Sequence, residues 1–349
     1  MNKIRIGAVN WDASLAPDTY FGFYQTRSLS KAKWREWTPF YADIIDDERI
    51  TYHKRTVEEY EREMQYAIDS GVDYFAFVWY PTEGSITHEQ TGFSDCSHKV
   101  HELNYARGLY KKSNLKNKLS MCAILAAHPF TDRDLFELVD EFTEPYYEKI
   151  NARPLLYVYR GYRTDIIAKI HQICKERNIP TPYTVPMVDK APEEPLPLAD
   201  ALSAYTVCAN EVNSHDQLTD VSLKQNSDRR KEGLKLIPTF SIGWNPTPRI
   251  ERKTPWTSNE DGVSIYPDVS YAPRATAKEL FDGAVKFADF IKREVKDYFI
   301  GHILTFSWNE FEEGGYFCPT YTKNGEIDIT RVNIFNKISE LFHCELEET

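Results

Sequence analysis

Three glutamates within four residues directly follow an apolar segment near the end of the chain. In the stretch LTFSWNEFEEGGYF, residues 304–317, these are Glu310, Glu312 and Glu313. Carboxylates this close repel one another, and burying one without a partner is costly. One explanation is a solvated helix N-terminus, where acidic residues favour the helix dipole. The other is a catalytic site in which Glu310 and Glu313 act as a pair on a glycosidic bond while Glu312 points elsewhere.

Further residues of suitable chemistry stand at the carboxyl ends of other apolar runs. They are the types that line a polar pocket with aromatic walls, including an arginine fork for a carboxylate or for hydroxyls. For some of them a structural role is the alternative: Trp79 as a core residue, His128 as a hydrogen-bonded structural residue, and Trp244 as a cover over the core. The predicted substrate-binding residues are Asp12, Trp79, Tyr80, His128, Arg160, Trp244, Asn245, Arg249, Trp308 and Asn309.

Short apolar runs alternate with amphipathic helical patterns along the chain, which indicates an α/β protein. Runs that are apolar on both faces are typical of parallel strands covered by helices. The predicted strands are 4–11, 74–80, 119–127, 154–160, 181–188, 201–209, 234–244 and 299–308. The predicted helices are 57–71, 98–112, 132–150, 163–177, 213–233, 277–295 and 331–342, and the charge run at 227–233 is interpreted as a solvated helix end.

The chain shows about eight strand–helix alternations, which is the number in a (β/α)8 TIM barrel. We therefore expect one such barrel, as a single catalytic domain over residues 1–349. Active-site residues of such barrels follow the carboxyl ends of the strands. An open doubly wound sheet is the alternative, but it requires a Gly-rich phosphate turn after the first strand, and VNWDASLAPD is not one. The sequence contains no GxSxG elbow, P-loop or HExxH motif.

The composition argues against several classes of function. A net charge of −11 disfavours a nucleic-acid partner, because binding phosphates needs a basic surface. No run of about 18 apolar residues is present, so no membrane-spanning segment is expected. Aromatic residues make up 14% of the chain, which favours a carbohydrate-binding surface, although dense packing also explains the excess.

The six cysteines are widely spaced, without a CxxC pair or a Cys/His cluster. No metal site is therefore expected, and no cofactor is predicted. Free thiols fit a reducing compartment, and the N-terminal MNKIRIGAVNW lacks the apolar segment of a signal peptide. We expect a cytoplasmic protein, or a periplasmic one if a leader was removed. The sequence does not indicate an oligomeric state.

The segment SWNEFEEG resembles the WNEWxEG signature of the glycoside hydrolase family 99-like group. This group includes endo-α-mannosidases and the WbsX-like proteins of surface-polysaccharide clusters. Three further stretches, AIDSGVDYFAFVWY, RPLLYVY and GWNPTPR, are similar to segments of the same group, in the same order along most of the chain. Two departures are Asn245, where the group commonly has Asp, and Cys318, where an acidic residue is usual.

The resemblance implies a retaining glycoside hydrolase that cleaves α-mannoside-like linkages in a glycan or polysaccharide. Glu310 would be the base that acts on the sugar 2-hydroxyl, and Glu313 the acid that protonates the leaving oxygen. The reaction would pass through a 1,2-anhydro sugar, and the acid would need a raised pKa. The alternatives are a WbsX-type polysaccharide-biosynthesis protein, which is glycosyltransferase-like, and a barrel that binds glycans without catalysis.

Overall fold

Helices and parallel strands alternate through the described part of the chain. The computed structural model describes residues 3–11, 20–81, 85–86, 98–99, 103–126, 129–254, 266 and 269–347. The central strands are β1 Arg5–Asn10, β2 Tyr74–Trp79, β3 Ser120–Leu125, β4 Arg153–Tyr159, β5 Tyr183–Met187, β6 Ala201–Leu202, β7 Lys235–Leu236, β8 Thr239–Ser241 and β9 His302–Phe306.

Seven of these strands form one continuous parallel path, in the order β5–β4–β3–β2–β1–β9–β8. Strands β6 and β7 form a separate parallel pair, and one parallel bridge joins Met187 in β5 to Ser203 directly after β6. The α/β class and the parallel sheet are therefore confirmed. The sheet path has two ends, so the closed (β/α)8 barrel stays a prediction.

The α-helices of the described residues cover the sheet, and three of them begin with a threonine capping box in which side chain and backbone exchange hydrogen bonds. The described residues also contain the 3₁₀-helices Ala32–Trp37 and Phe311–Glu313 and a π-helical turn, Ile291–Val295. The α-helices are α1 Tyr20–Leu29, α2 Val57–Asp69, α3 Tyr105–Lys112, α4 Asp132–Glu141, α5 Thr164–Glu176, α6 His215–Asp228, α7 Thr247–Arg252, α8 Ala277–Phe290 and α9 Thr330–Leu346.

The described residues also form short antiparallel pairs of strands, or ribbons, in addition to the parallel strands. One of them explains why the predicted helix 132–150 is wrong in its second half: α4 ends at Glu141, and Lys149–Ile150 pairs antiparallel with the start of β4. Pro145 disfavours a helical conformation in the residue before it. The other ribbons pair Ala42–Asp46 with Arg49–Tyr52, Ser85–Ile86 with His98–Lys99, Asn309–Glu310 with Gly315–Tyr316, and Thr320–Tyr321 with Ile327–Asp328.

Two predicted strands are shorter than the sequence indicated. The run 201–209 contributes only the two residues of β6. The run 234–244 is divided into β7 and β8, and the break falls at Pro238, which has no N–H to donate to a strand partner. Both differences fall in one part of the chain, residues 201–244, which contains β6, β7 and β8.

The interior of the sheet is filled by large side chains. Every residue of β2 is buried, and the hydroxyl of Tyr74 lies 3.0 Å from that of Tyr157 on β4. Gly7 on β1 leaves room for this ring, since a Cβ there would lie 2.1 Å from a carbon of Tyr74. The strands are thus fixed relative to one another by tight contacts between side chain and backbone.

Four titratable side chains lie together at the amino ends of the strands. We call them the amino-end cluster: Arg5, Asp73, Glu148 and His302. Arg5 donates to Asp73 Oδ1 at 2.8 Å and, through Nε, to Glu148 Oε1 at 3.0 Å. His302 Nε2 lies 3.2 Å from Glu148 Oε1. Within the described residues, no helix combines the length and the apolarity that crossing a membrane requires.

Candidate active site

The chain turns sharply after β9 and carries the three glutamates into the protein. Ser307 Oγ accepts a hydrogen bond from the backbone N–H of Glu310 at 2.8 Å and donates to the carbonyl of Gly315. Gly314 ends the 3₁₀-helix in the left-handed region, with φ of 72°. A Cβ at Gly314 would lie 3.0 Å from the Trp37 ring, so glycine suits the position for both reasons.

All three glutamates are buried, with 4%, 0% and 5% of Glu310, Glu312 and Glu313 exposed. Their common partner is Arg249 on α7, which is 5% exposed. Arg249 Nη2 lies 3.2 Å from Glu310 Oε2 and 3.0 Å from Glu312 Oε1, and Nη1 binds Glu313 Oε1. These four residues are the carboxyl-end cluster. Its burial rules out the solvated helix N-terminus that the sequence left open.

Two tyrosines donate hydrogen bonds to the paired carboxylates. The hydroxyl of Tyr205 donates to Glu310 Oε1 at 2.6 Å, and that of Tyr266 donates to Glu313 Oε1 at 2.7 Å. Tyr205 stacks on Tyr159 with ring centroids 4.4 Å apart. Each member of the pair therefore has its own neutral donor in addition to the shared guanidinium.

Glu312 does not point away from the cluster, contrary to the prediction for it. Its Oε1 accepts from Arg249, and its Oε2 accepts from Gln25 Nε2 at 2.7 Å. Gln25 lies on α1 and is fully buried. Glu312 thus joins α1 to the arginine of α7 from within the turn after β9.

The electrostatics of the cluster favour a proton on the pair. Burial raises the pKa of Glu310 to about 8, with a further contribution from the neighbouring Glu313 carboxylate and against the effect of Arg249. Burial also raises the pKa of Glu313. Because three carboxylates surround one guanidinium, one proton shared by Glu310 and Glu313 reduces the excess negative charge. Such a pair contains an acid and a base at the same time.

Trp308 and Asn309 make their polar contacts inside the protein. The indole N–H of Trp308 donates to Glu63 Oε1 at 2.6 Å, and Glu63 is paired with Arg55. The amide of Asn309 binds both backbone groups of Trp11, each at 2.8 Å. The two side chains therefore anchor the turn of the glutamates to α2 and to the end of β1.

Trp79 and Tyr80, at the end of β2, are also buried. The guanidinium of Arg107 lies 3.4 Å from the centre of the Trp79 ring, so one ring face is already covered. Tyr80 accepts a hydrogen bond from the indole of Trp11 at 2.7 Å, and the Trp11 ring lies 5.5 Å from the guanidinium of Arg249. Tyr80 therefore approaches the carboxyl-end cluster through Trp11.

Trp244 and Asn245 follow β8 and lie beside the cluster. Trp244 is buried and packs on Tyr266 and Phe306, with ring centroids 5.8 and 6.0 Å apart. The backbone N–H of Asn245 donates to the carbonyl of Glu313 at 2.7 Å. Its side-chain amide binds the chain around it, accepting from Thr247 and donating to the carbonyl of Ala272. Both residues position the glutamate turn against α7.

Arg160 differs from the other predicted residues that the structure describes because its side chain is exposed. It stands at the end of β4 with φ of 53°, and its Nε donates to the hydroxyl of Tyr159 at 3.0 Å. The charge of Arg160 acts to lower the pKa of Glu313, against the larger effect of burial. Asp12 and His128 lie outside the described residues.

The structure therefore joins Glu310, Glu313 and Arg249, which the sequence predicted from separate segments. Gln25, Tyr205 and Tyr266 were not predicted from the sequence. Tyr205 lies within the run 201–209 that predicts a strand, and only the structure shows that the strand ends at Leu202 and leaves Tyr205 beyond it. No group of His, Cys, Asp and Glu in the described ranges is arranged to hold a metal ion.

The interpretation of 227–233 as a solvated helix end is wrong at Arg229, which is 1% exposed. Its Nε donates to the carbonyl of Val188 at 2.6 Å, directly after β5. The guanidinium thus satisfies a backbone acceptor at a strand end that the helix covers. A charge run in the sequence does not show which of its members turns inward.

Fold and site together define an α/β protein with a buried carboxylate–arginine cluster at the carboxyl ends of its parallel strands. Two solved structures of the GH99 endo-alpha-mannosidase from Bacteroides thetaiotaomicron are similar to it. The first, in complex with bis-tris-propane, has a TM-score of 0.61 at 14% identity and covers 99% of each chain. The second has a TM-score of 0.51 at 14% identity and covers 83% of this chain and 81% of the other.

The chain is therefore similar in fold to glycoside hydrolase family 99, as the segment SWNEFEEG indicated. No protein-family model and no curated protein matches the sequence. At this level of identity the similarity concerns the fold, and the chemistry has to be argued from the residues of this chain.

Proposed function

We propose that this protein is a glycoside hydrolase in which Glu310 and Glu313 are the catalytic residues. The observation that carries the proposal is the buried pair, held by one guanidinium at the carboxyl end of the parallel strands, with the pKa of both carboxyls raised by burial. Raised carboxyl pKa values in such a position are typical of acid–base catalysis. The similarity to endo-α-mannosidase structures supports a carbohydrate substrate.

In the proposed reaction Glu310 removes the proton of the sugar 2-hydroxyl while O2 attacks C1 from the face opposite the leaving oxygen. Glu313 gives its proton to that oxygen as the glycosidic bond breaks, and a 1,2-anhydro sugar results. Water then attacks C1, with Glu313 as the base, and O2 regains a proton from Glu310. Two inversions at C1 give overall retention, and the nucleophile is part of the substrate, so proximity assists the first step.

The proposed roles require a proton on Glu313 when the sugar is bound. In the unliganded protein Glu310, whose pKa burial raises to about 8, can itself hold the shared proton. A sugar hydroxyl that donates to Glu310 favours its ionised form. The hydrogen bond from Tyr205 acts in the same direction. Substrate binding would thus move the proton to the residue that needs it.

The predicted closed barrel and the single domain over residues 1–349 are parts of this proposal. Hydrogen bonds on both sides of β6 support closure. Ser203 N–H donates to the carbonyl of Pro186 at 3.0 Å, and Ile237 N–H donates to the carbonyl of Leu202 at 2.9 Å. These bonds lie between the two ends of the seven-strand path, where a ring would close.

The proposed substrate is an oligosaccharide or polysaccharide with α-mannoside-like linkages, whose 2-hydroxyl lies trans to the leaving group. Arg160, which is exposed, and Tyr80 are the described residues that we propose to contact it, together with Asp12 and His128. No nucleic-acid partner and a cytoplasmic location remain predictions. The second candidate function is WbsX-type glycosyl transfer, which would need an activated donor sugar.

The test is to incubate the protein with a panel of defined α-mannans, bacterial polysaccharides and aryl α-mannosides. The reducing ends that are released are then measured. We expect hydrolysis of a mannoside-like linkage, with the α-anomer as the first product seen by NMR. Turnover that appears only after a nucleotide-sugar is added would instead support the transferase. Glycan affinity in isothermal titration without turnover would support the non-catalytic barrel.

Two variants separate the roles of the pair. Glu313→Gln should abolish cleavage of natural linkages but retain the first step on aryl mannosides whose leaving group needs no proton. Glu310→Gln should abolish cleavage of both, because no base activates O2. Glu251→Gln on α7 is the control, since its carboxylate binds Lys31 and lies outside the cluster. Unchanged cleavage of natural linkages in either cluster variant would contradict the assignment.

A further inference from the structure

We propose that Glu312 is a positioning residue that acts through Arg249, and that Gln25 holds it in place. In this arrangement Glu312 determines how much of the positive charge of Arg249 acts on Glu310 and Glu313. The inference rests on the proposed function and extends it to a residue that does not touch the substrate. In the signature that SWNEFEEG resembles, the corresponding position is variable, so the resemblance assigns no role to Glu312.

Glu312 lies on the same three-residue 3₁₀-helix as Glu313, but it binds Nη2 of Arg249, whereas Glu313 binds Nη1. Its Oε1 is 3.0 Å from Arg249 Nη2, and its Oε2 accepts from Gln25 Nε2 at 2.7 Å. Both oxygens therefore accept hydrogen bonds from the protein, as an ionised carboxylate does. The residue is 0% exposed, which leaves it no surface for a sugar.

Three separate elements meet at this carboxylate. Gln25 comes from α1, Arg249 from α7, and Glu312 from the turn after β9. Tyr52, on the ribbon strand Arg49–Tyr52, also faces Glu312, whose charge contributes to raising the pKa of this buried phenol after the larger effect of burial. Among the described residues outside the cluster, the other titratable groups that interact with its carboxylates are Tyr159, Arg160, Tyr205, Cys208 and Tyr266.

One guanidinium is shared among three carboxylates. The charge of Arg249 acts to lower the pKa of Glu310 and Glu313, whereas the charge of Glu312 acts to raise both. Without Glu312 the full charge of Arg249 would act on the pair. Both carboxyls would then be ionised at a lower pH, and the pair would lack the proton that the leaving oxygen needs.

The main variant is Glu312→Gln, which keeps the shape of the side chain and removes its charge. We expect the alkaline limb of the pH profile of kcat/KM to move to lower pH by about one unit. Because Glu312 does not contact the sugar, KM should change little and the loss should fall on kcat. At a pH above the new limb the rate should drop about tenfold, and below it the two proteins should be similar.

A charge-relocation variant tests whether charge rather than packing is responsible. In the double variant Glu312→Gln with Gln25→Glu, a carboxylate returns on the α1 side of the same hydrogen bond. The alkaline limb should move part of the way back toward that of the wild type. Glu251→Gln is the matched control, because it removes one negative charge from α7 outside the cluster and should leave the limb in place.

A second readout does not depend on turnover. Glutamate labelled at the side-chain carboxyl carbon allows the titrations of Glu310 and Glu313 to be followed by NMR, with assignment by the two Gln variants. Both titrations should move to lower pH in Glu312→Gln. If they do not move, the inference is overturned. If they move but the wild type cleaves nothing in the panel, the proposed function fails and the electrostatic role of Glu312 stands.

Glu312→Asp provides for the case in which Glu312→Gln does not fold. The shorter side chain keeps the charge but cannot reach Gln25 and Arg249 together at the observed distances. The pH limb and the two titrations should then move in the same direction by a smaller amount. No movement in this variant would also overturn the inference.

Discussion

The two ends of the parallel sheet each place an arginine among carboxylates, but the two clusters differ in their charge balance. In the amino-end cluster Arg5 and His302 face Glu148 and Asp73. In the carboxyl-end cluster Arg249 faces three carboxylates alone among the residues that the structure describes at hydrogen-bonding distance. The amino-end cluster has two basic side chains for two acids, and the carboxyl-end cluster has one for three.

The pKa directions follow this difference. Burial alone would raise the pKa of Glu148, but the hydrogen bonds from His302 and Arg5 outweigh burial and lower it. Burial raises the pKa of Glu310 and of Glu313, and one arginine does not reverse the effect. A cluster whose acids stay ionised has no proton to donate, whereas a cluster that retains a proton can act as a general acid. The number of basic partners therefore decides the direction of the carboxyl pKa at the two ends of the sheet.

The largest expected effect separates the two clusters by activity. Glu313→Gln should lower kcat/KM on a natural linkage by about a thousandfold, because the leaving oxygen loses its acid. Glu148→Gln should leave kcat/KM of the folded protein unchanged. Steady-state assays with the fraction folded measured by circular dichroism make the comparison. A comparable loss in both variants would show that the amino-end cluster also affects the reaction.

Stability should respond in the opposite way. Glu148→Gln removes the main partner of Arg5 and His302, and we expect the free energy of unfolding to fall by about 2–3 kcal/mol, since Arg5 is partly exposed and keeps Asp73. Glu313→Gln removes a carboxylate whose burial is unfavourable, and its cost should be below about 1 kcal/mol. Urea unfolding measures both. A larger loss for Glu313→Gln would assign the carboxyl-end cluster a structural role.

The pH dependence of stability should also have opposite signs at the two ends. The folded protein retains a proton on Glu310 that the unfolded chain has lost, so the free energy of unfolding should fall as pH rises from about 4.5 to about 8, by up to about 1.4 kcal/mol per unit. Because the pKa of Glu148 is lowered in the folded protein, Glu148 stabilises the fold at pH values above the ordinary glutamate pKa. This stabilisation is lost as the pH falls below that value.

Urea unfolding from pH values below the ordinary carboxyl pKa up to about pH 8 checks the two slopes. Glu310→Gln should flatten the decline toward alkaline pH, and Glu148→Gln should flatten the decline toward acid pH. The wild type and Glu251→Gln should show both declines. If Glu310→Gln leaves the alkaline slope unchanged, the shared proton lies elsewhere.

The smallest expected effect concerns the tyrosine donors. Tyr266→Phe removes the hydrogen bond to Glu313 Oε1, which opposes the burial effect on its pKa. We expect the pKa of Glu313 to rise further and the rate to change by about tenfold or less. The pH profile of kcat/KM is the measurement. Tyr147→Phe, whose hydroxyl donates to the carbonyl of Leu155 in the core, is the control and should leave the profile unchanged.

Much of the scaffold could be predicted from the sequence because its signals are local. The buried strands β2 and β4 stand out as apolar runs, and α2 and α5 follow apolar spacing near 3.6 residues. The predictions were wrong where tertiary contacts decide: the region after Glu141 becomes part of a ribbon against β4, and β6 keeps only two residues. The length of a strand and the pairing of a ribbon depend on partners that are distant in the sequence.

The candidate site shows the same division. The sequence by itself determined that Glu310, Glu312 and Glu313 follow a buried strand, because composition and order place them there. Only the tertiary structure decided that Arg249, Gln25, Tyr205 and Tyr266 would meet them. The physical reason is that a carboxyl pKa depends on burial and on groups a few ångströms away. The four partners come from chain segments between 47 and 287 residues distant in the sequence from the glutamates that they contact.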